Sequence, residues 1–200
     1  RGSPLGSSGA WRTYTPSAGI LSDDPGVNPA FHGWSAVMLP YCDGSSFLSD
    51  RPQPLSLNGS LVYMRGHTNF AATMADLIAR QGLSDAEVVV LTGCSSGSNG
   101  AFLNLERLEG MLSWHAPQTR VFALADAGWF LDTPEQILRW MWGLRLWNAT
   151  QWLPASCVEA EGMGLEWRCF FPRHVLRHRK PKPTHPHTMQ GRPDAGGWGE

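Results

Sequence analysis

The stretch VVVLTGCSSGSNG, residues 88–100, constrains the fold most, because it runs a continuous apolar segment straight into a glycine-rich turn. Such a segment is typical of a parallel strand that is covered on both faces. Apolar residues then recur at helical spacing through residues 99–112, and a second short apolar run occupies residues 120–126. Strand, helix and strand in this order predict an α/β domain whose mainly parallel sheet is flanked by helices.

Three further segments carry patterns of regular structure. Residues 34–42, WSAVMLPYC, have the apolar density of a buried strand. Residues 68–81 predict an amphipathic helix that Thr68 caps and Gly82 ends. The aromatic segment 136–154 also predicts a helix.

The chain divides into a folded part, residues 1–176, and a tail, residues 177–200. A chain of 200 residues fits one domain, which buries roughly 70% of the surface that its unfolded chain exposes. The tail is basic, rich in Pro, His and Gly, and without apolar periodicity, so it predicts disorder. A formal net charge of -1 gives no electrostatic basis for binding nucleic acid or a membrane surface. No apolar run approaches the roughly 18 residues of a membrane-spanning helix.

The cysteines and the glycosylation sequons bear on the cellular compartment. The four cysteines are too few and too widely spaced for a zinc module, so we expect no metal. Asn58 and Asn148 each begin a glycosylation sequon, and together with the even number of cysteines they favour a secreted protein. No signal peptide opens the chain, and its first residue, Arg1, is expected to lie inside a longer protein.

Residues 93–97 match the pattern G-x-S-x-G between a predicted strand and a predicted helix, which is the context in which this pattern marks a nucleophilic serine. We expect a sharp turn that leaves room only for glycine at Gly93 and Gly97. The hydroxyl of Ser95 would then project above the sheet. The N–H of Ser96, at the start of the helix, is placed to stabilise an oxyanion.

The pattern alone is weak, since a chain of this composition gives roughly 0.2 chance matches to it. A glycine-rich turn between a strand and a helix can also bind phosphate. The spacings G-x4-G-K-[ST] and G-x-G-x-x-G are both absent, however. The sequence therefore favours the nucleophile and predicts no cofactor.

Several stretches, met in order along the chain, carry a family resemblance: GILS, NPAFHGWSAVMLPYCDGSSF, RG, GLSDAEVVVLTGCSSG and ALADAGWFLD. They resemble the pectin acetylesterase and Notum family, and YCDGSSF with LTGCSSG is the most specific pair. The resemblance implies an α/β-hydrolase-like fold. It also implies a serine esterase, secreted to the extracellular space or cell wall, that removes O-acyl groups. The acyl group is acetate in the plant members and a long unsaturated fatty acyl in the Notum members.

The resemblance assigns roles to residues by motif. Ser95 matches the family nucleophile. Phe130, Phe170 and Phe171 match aromatic residues of an acyl pocket, and large apolar side chains suit such a pocket. For each phenylalanine taken alone, ordinary core packing is the alternative.

The resemblance also bears on cysteine pairing. It implies a disulfide between Cys157 and Cys169, which would close a short loop. Cys42 and Cys94 each follow a predicted strand. They could pair with each other or with cysteines outside this chain.

The chain departs from the family at both ends. The family uses Ser, Asp and His in chain order, and its Asp and His lie beyond the point, about residue 175, where the resemblance stops. The glycine-rich loop that supplies the rest of the oxyanion hole is absent on the N-terminal side. Residues 1–176 are therefore expected to be a partial α/β-hydrolase-like domain. Asp126 is interpreted as structural rather than catalytic, and His67 as an ordinary loop histidine.

Two functions follow from these observations. The leading hypothesis is a serine carboxylesterase that hydrolyses an O-acyl ester on an extracellular, pectin-like polysaccharide or on a glycoprotein. The alternative is a catalytically inactive, secreted family member that binds an acyl group or a glycan, because a serine without a base is a poor nucleophile.

Overall fold

The computed structural model describes residues 18–179. Its helices and strands are, in chain order, β1 (Leu55–Leu57), β2 (Ser60–Val62), α1 (Gly66–Arg80), β3 (Val88–Cys94), α2 (Ser96–His115), β4 (Arg120–Asp126), α3 (Pro134–Trp147), α4 (Ala155–Glu161) and α5 (Pro172–His178). The predicted order of strand, helix and strand is confirmed by β3, α2 and β4. Within the described range, no helix is both long and apolar enough to cross a membrane.

The strands β3 and β4 form a parallel pair, in which Cys94 lies opposite Asp126 at the carboxyl ends. The helix α2 connects them and packs on one face of the pair. On β4 the side chains of Phe122 and Leu124 are exposed. Parallel strands are therefore confirmed, but the expected cover on both faces is wrong for the part of the chain that the structure describes. The shared carboxyl edge is where a functional site of an α/β sheet is expected.

Two hydrophobic clusters hold the elements together. The first packs α1 and α2 against the sheet. The second lies among α3, α4, α5 and the loops around them, and its largest buried members include Leu48, Leu144, Trp147, Phe170 and Phe171. The sheet edge and the helical layer of α3 to α5 are therefore supported by separate cores.

The segment 34–42 is not a strand, and the prediction of a buried strand there is wrong. Trp34, Val37 and Met38 are exposed. Among residues 18–179 the segment has no neighbouring strand. Without such a neighbour its backbone groups cannot pair as a strand requires.

The hairpin of β1 and β2 is a further element of the fold. Its turn contains Asn58 and Gly59, with φ of 47° and 73°. Both values lie in the left-handed region, and Asn-Gly is the pair that favours this kind of two-residue turn. The same Asn-Gly pair begins the Asn58 sequon.

The helix boundaries differ from the predicted ones by a few residues. The first helix begins at Gly66 rather than at Thr68, and Arg65 precedes it without a side-chain cap. It ends just before Gly82, whose φ of 75° agrees with the predicted stop. The helix α2 begins at Ser96, because the turn after β3 leads directly into it.

The last described helix crosses the predicted start of the tail. The helix α5 ends at His178, so the boundary at residue 177 falls inside it. Arg179 pairs with Glu109 of α2 at 2.6 Å. Residues 180–200 lie outside the described residues, and disorder there stays a prediction.

Cys157 and Cys169 form the disulfide that the resemblance implies, and both are fully buried. Replacing both with serine is expected to lower the free energy of unfolding by about 3 kcal/mol, since the bond closes a loop between residues 12 apart. Denaturant unfolding of the two proteins measures the difference. Cys42→Ser is the control, because this thiol is free and exposed. A double variant as stable as the parent would contradict the expectation.

Candidate active site

Ser95 occupies the bend between β3 and α2. Its φ of 54° and ψ of -119° lie in a region that residues other than glycine rarely adopt. Its N–H donates to the carbonyl of Asp126 at 2.9 Å, and its own carbonyl accepts the N–H of Asn99 at 3.1 Å. These two bonds hold the strained backbone in place. The residue is exposed, and its hydroxyl has no hydrogen-bond partner within residues 18–179.

The two glycines beside the serine have different roles. A Cβ on Gly93 would lie 2.4 Å from the carbonyl carbon of Gly97 and 2.5 Å from its oxygen, so only glycine fits there. A Cβ on Gly97 would meet nothing within 4 Å. The expectation that the turn requires glycine therefore holds for Gly93 and is wrong for Gly97 in the described part of the chain.

Ser96 opens α2, so its N–H has no acceptor within the helix. The hydroxyl of Tyr41 interacts with Ser96 and accepts the N–H of Ser46 at 2.7 Å. Burial raises the pKa of Tyr41, so the phenol stays protonated at neutral pH. The turn thus presents a backbone N–H that has no acceptor in its own helix, next to a neutral phenol.

Asp43 ties the YCDGSSF loop to the start of α1. Its carboxylate accepts hydrogen bonds from the N–H and hydroxyl of Ser45, from the hydroxyl of Ser49 and from the N–H of Gly66. A Cβ on Gly66 would lie 2.8 Å from this carboxylate. Asp43 therefore joins the loop that carries Tyr41 to the start of α1.

Replacing Asp43 with alanine is expected to lower the free energy of unfolding by about 2 to 3 kcal/mol, because it leaves several donors without their acceptor. Denaturant unfolding measures the loss. The matched control is Asp76→Ala, which removes only a surface pair with Arg80 and is expected to cost at most about 0.5 kcal/mol. Equal effects of the two substitutions would contradict the role of Asp43.

The two cysteines that follow the predicted strands are free and exposed. Cys42 and Cys94 are therefore not joined to each other in this structure. A hydrogen bond to Asp126 and the charge of its carboxylate raise the pKa of Cys94. The thiol next to Ser95 thus stays protonated, and Asp126 is engaged by this thiol and by the backbone of the turn.

Three of the described histidines, His67, His174 and His178, have partners elsewhere, while His115 is exposed at the end of α2. His67 is buried in the first turn of α1, its ring lies 3.5 Å from that of Trp152, and it contacts Arg107. Burial, together with the charge of Arg107, lowers the pKa of His67 to about 4. His174 and His178 both contact Glu161 of α4. None of these side chains is hydrogen-bonded to Ser95.

The three phenylalanines of the expected acyl pocket belong to one hydrophobic cluster but differ in burial. Phe170 and Phe171 are buried in the core, with their rings in edge contact at 6.1 Å. Phe130 is half-buried and lies 6.2 Å from the ring of Trp140. It follows Gly128, where a Cβ would collide with Ser98 in the first turn of α2. Of the three phenylalanines, Phe130 belongs to the loop that packs beside the serine turn, which is the bend at Ser95 between β3 and α2.

A charged cavity of about 420 Å³ lies between this loop and the last two helices. Glu161 at its wall accepts from Arg168, His174 and His178. Burial raises the pKa of Glu161, but these hydrogen bonds outweigh it and lower the pKa to about 2. Sequence reasoning missed this cluster. The four-residue spacing of His174 and His178 on one helix was the available signal, but Glu161 and Arg168 come from two other segments.

Both sequon asparagines lie at turns on the surface. Asn58 is exposed at the tip of the hairpin. Asn148 is exposed at the end of α3, where its Nδ2 donates to the carbonyl of Asp50 at 3.1 Å. Glycosylation at both stays a prediction.

Comparisons with known proteins agree with this geometry. Palmitoleoyl-protein carboxylesterase NOTUM of Schmidtea mediterranea is 33% identical over 193 residues, which cover 88% of this chain and 35% of the relative. Pectin acetylesterase 5 of Arabidopsis thaliana is 31% identical over 181 residues, with 87% and 40% covered. The crystal structure of the Wnt deacylase Notum from Drosophila superposes with a TM-score of 0.78 at 29% identity. The chain covers 52% of that structure, so it spans about half or less of the proteins it matches.

The fold agrees with these relatives. The match to Notum confirms the predicted α/β-hydrolase-like fold in an incomplete form, with a small parallel sheet and flanking helices. The family model described as "PAE: Pectinacetylesterase" matches residues 1–181. This match covers the serine turn and all of the described elements. The chain therefore belongs to the pectinacetylesterase family.

Proposed function

We propose that this chain carries the nucleophile of a serine carboxylesterase that removes O-acyl groups from an extracellular polysaccharide or glycoprotein. The observation that supports this most is the backbone of Ser95. A serine with positive φ between a parallel strand and a helix exposes its hydroxyl beside the N–H groups of the first helical turn. Backbone strain of this kind persists only where the surrounding structure holds it, and strained residues cluster at active sites.

The proposed chemistry uses the groups of the turn. The Oγ of Ser95 attacks the ester carbonyl, and a general base takes its proton. The developing oxyanion accepts a hydrogen bond from the N–H of Ser96, which has no acceptor in its helix. The alcohol leaves with a proton, and water then hydrolyses the acyl-enzyme. The base would come from outside the described residues, since no described histidine is hydrogen-bonded to Ser95.

The acyl group and its carrier are proposed from the relatives. Their names indicate a palmitoleoyl group on a protein in one case and acetate on pectin in the other. Phe130 is the best candidate of the three phenylalanines for contact with an acyl chain, because it is only half-buried and adjoins the turn. Phe170 and Phe171 would support the pocket from the core.

An extracellular location is part of the proposal. A disulfide between Cys157 and Cys169 is stable in an oxidising compartment. Both sequon asparagines, Asn58 and Asn148, are exposed and accessible to glycosylation.

A second candidate is an inactive member that binds an acyl group or a glycan. The observation in its favour is that the hydroxyl of Ser95 has no base as partner among residues 18–179. An unactivated serine hydroxyl is a poor nucleophile.

Hydrolysis of p-nitrophenyl acetate and of a long-chain p-nitrophenyl ester by the folded chain tests the two candidates. The esterase proposal predicts turnover that Ser95→Ala abolishes. Ser113→Ala is the control, because this exposed serine lies near the C-terminal end of α2 and donates to the carbonyl of Gly110. No turnover, together with saturable binding of a long-chain fatty acid, would favour the inactive binding protein. Turnover that survives Ser95→Ala would contradict the nucleophile.

A further inference from the structure

Trp152, in the short helical turn Thr150–Trp152 that follows α3, is in contact with two other side chains. The ring of His67 lies against the indole, with the ring centres 3.5 Å apart. The guanidinium of Arg107 lies 5.3 Å from the centre of the same indole and also contacts the Nε2 of His67. This indole cluster, His67, Arg107 and Trp152, therefore joins α1, α2 and the segment between α3 and α4.

The contact with Arg107 determines which nitrogen of His67 carries the proton. A guanidinium only donates hydrogen bonds, so the Nε2 of His67 accepts. Burial, followed by the charge of Arg107, lowers the pKa of His67 to about 4, so the ring is neutral at pH 7. Its single ring proton therefore lies on Nδ1. His67 is 7% exposed, and this buried N–H has no acceptor within residues 18–179.

The other two members of the indole cluster are donors as well. The Nε1–H of Trp152 is buried and has no hydrogen-bond partner in the described range. Arg107 is half-buried, donates to the Oδ1 of Asn104 at 3.5 Å and forms no ion pair among the described residues. Burial lowers the pKa of Arg107 to about 10, as expected for a cation whose charge is not compensated.

Two carboxylates near the indole cluster are engaged by other groups. Asp50, whose charge acts on Arg107, accepts hydrogen bonds from Arg65 and from Thr68. Glu106, the neighbour of Arg107 in α2, accepts hydrogen bonds from the first turn of α4. The cluster therefore presents one positive charge and two buried N–H groups that no carboxylate satisfies.

We propose that His67, Arg107 and Trp152 form a binding site for a small monovalent anion such as chloride. The charge of the anion matches the single positive charge of Arg107, because His67 is neutral. A halide only accepts hydrogen bonds. A water molecule would also have to place its own protons, and these three side chains offer no acceptor for them.

The size of the anion follows from where the donors lie. Both ring N–H groups are shielded from solvent, so the ion has to fit between side chains, and a large, strongly hydrated anion is excluded. Half-buried Arg107 leaves one side of the site accessible. A bound ion would hold α1, α2 and the turn after α3 together. The site depends on these contacts alone and does not require that the chain be an esterase.

Thermal unfolding of the folded chain in sodium chloride and in sodium gluconate tests the site. The two salts are compared at equal ionic strength, so that screening is the same. Gluconate is too large for a site between three side chains. At about ten times the dissociation constant, chloride is expected to raise the melting temperature by about 3 to 6 °C, and the rise should saturate. A parent protein that melts at the same temperature in both salts would overturn the proposal.

Two tryptophan variants provide the matched comparison. Trp152→Phe keeps an aromatic ring but removes the N–H, and it is expected to weaken chloride binding at least about tenfold, as for the loss of one hydrogen bond to a charged group. Trp114→Phe removes an indole N–H that is 88% exposed and is expected to bind chloride as the parent does. Equal chloride affinity of the two variants would contradict the assignment of the site.

Bromide provides a direct view of the ion, because its anomalous scattering locates it in a crystal. In crystals of the parent protein grown with sodium bromide, we expect a peak within hydrogen-bond distance of the Nδ1 of His67 and the Nε1 of Trp152. No peak there, or a water molecule in its place, would overturn the proposal. If Trp152→Phe does not fold, this map decides.

Discussion

Replacing Gly93 with alanine is expected to lower the free energy of unfolding by about 4 kcal/mol, which is beyond the usual range for an overpacked site. The added Cβ would lie 2.4 Å from the carbonyl carbon of Gly97, which is backbone and cannot rotate away. The strand β3 and the start of α2 would have to separate. Denaturant unfolding monitored by circular dichroism measures the loss.

Gly97→Ala is the matched control, because Gly97 lies four residues further along the chain, in the first turn of α2. Its Cβ would meet nothing within 4 Å, and alanine suits the first turn of a helix better than glycine. We therefore expect no loss, or a gain of up to about 1 kcal/mol. A Gly93→Ala protein as stable as Gly97→Ala would show that the close approach of the two glycines is not required by the fold.

Replacing Phe170 with alanine is expected to lower the free energy of unfolding by about 3 to 5 kcal/mol, the cost of deleting a large aromatic side chain from a packed core. The ring is 1% exposed, stacks on Trp140 at 4.7 Å and contacts Trp147 and Phe171. Thermal and denaturant unfolding both measure this loss.

The control is Phe122→Ala, since Phe122 of β4 is 49% exposed. It is expected to cost at most about 1 kcal/mol. A small loss in both variants would mean that Phe170 borders open space, as a direct pocket residue would, and that its core role is wrong.

The elements at the site could be predicted because their signals are local. The apolar run of β3, the glycine pattern after it and the helical spacing of α2 lie within one continuous segment, residues 88–112. A strand followed by a helix forces a turn at Ser95, and the close approach of the Gly97 backbone to Gly93 gives the steric reason for one of its glycines. The pattern could not show that Gly97 is free of this constraint, because that depends on which atoms surround it.

What could not be predicted depends on contacts between distant segments. Residues 34–42 are apolar enough for a strand, but a strand also needs a neighbour, and its pattern cannot show whether one is present. The hydrogen bonds of Asp43 join residues from two sequence motifs whose contact no spacing reveals. The pairing of His174 with Asp132 spans 42 positions in the chain. Such pairs become visible only when the elements are packed.

The central claim is that Ser95 is the nucleophile, and labelling with a fluorophosphonate probe, mapped by mass spectrometry, tests it most directly. The exposure of Ser95 and the N–H of Ser96 at the start of α2 predict that Ser95 reacts faster than every other serine in the folded chain, and that the modification disappears in Ser95→Ala. A folded chain in which Ser95 is unlabelled, or is labelled no faster than Ser113, would contradict the account.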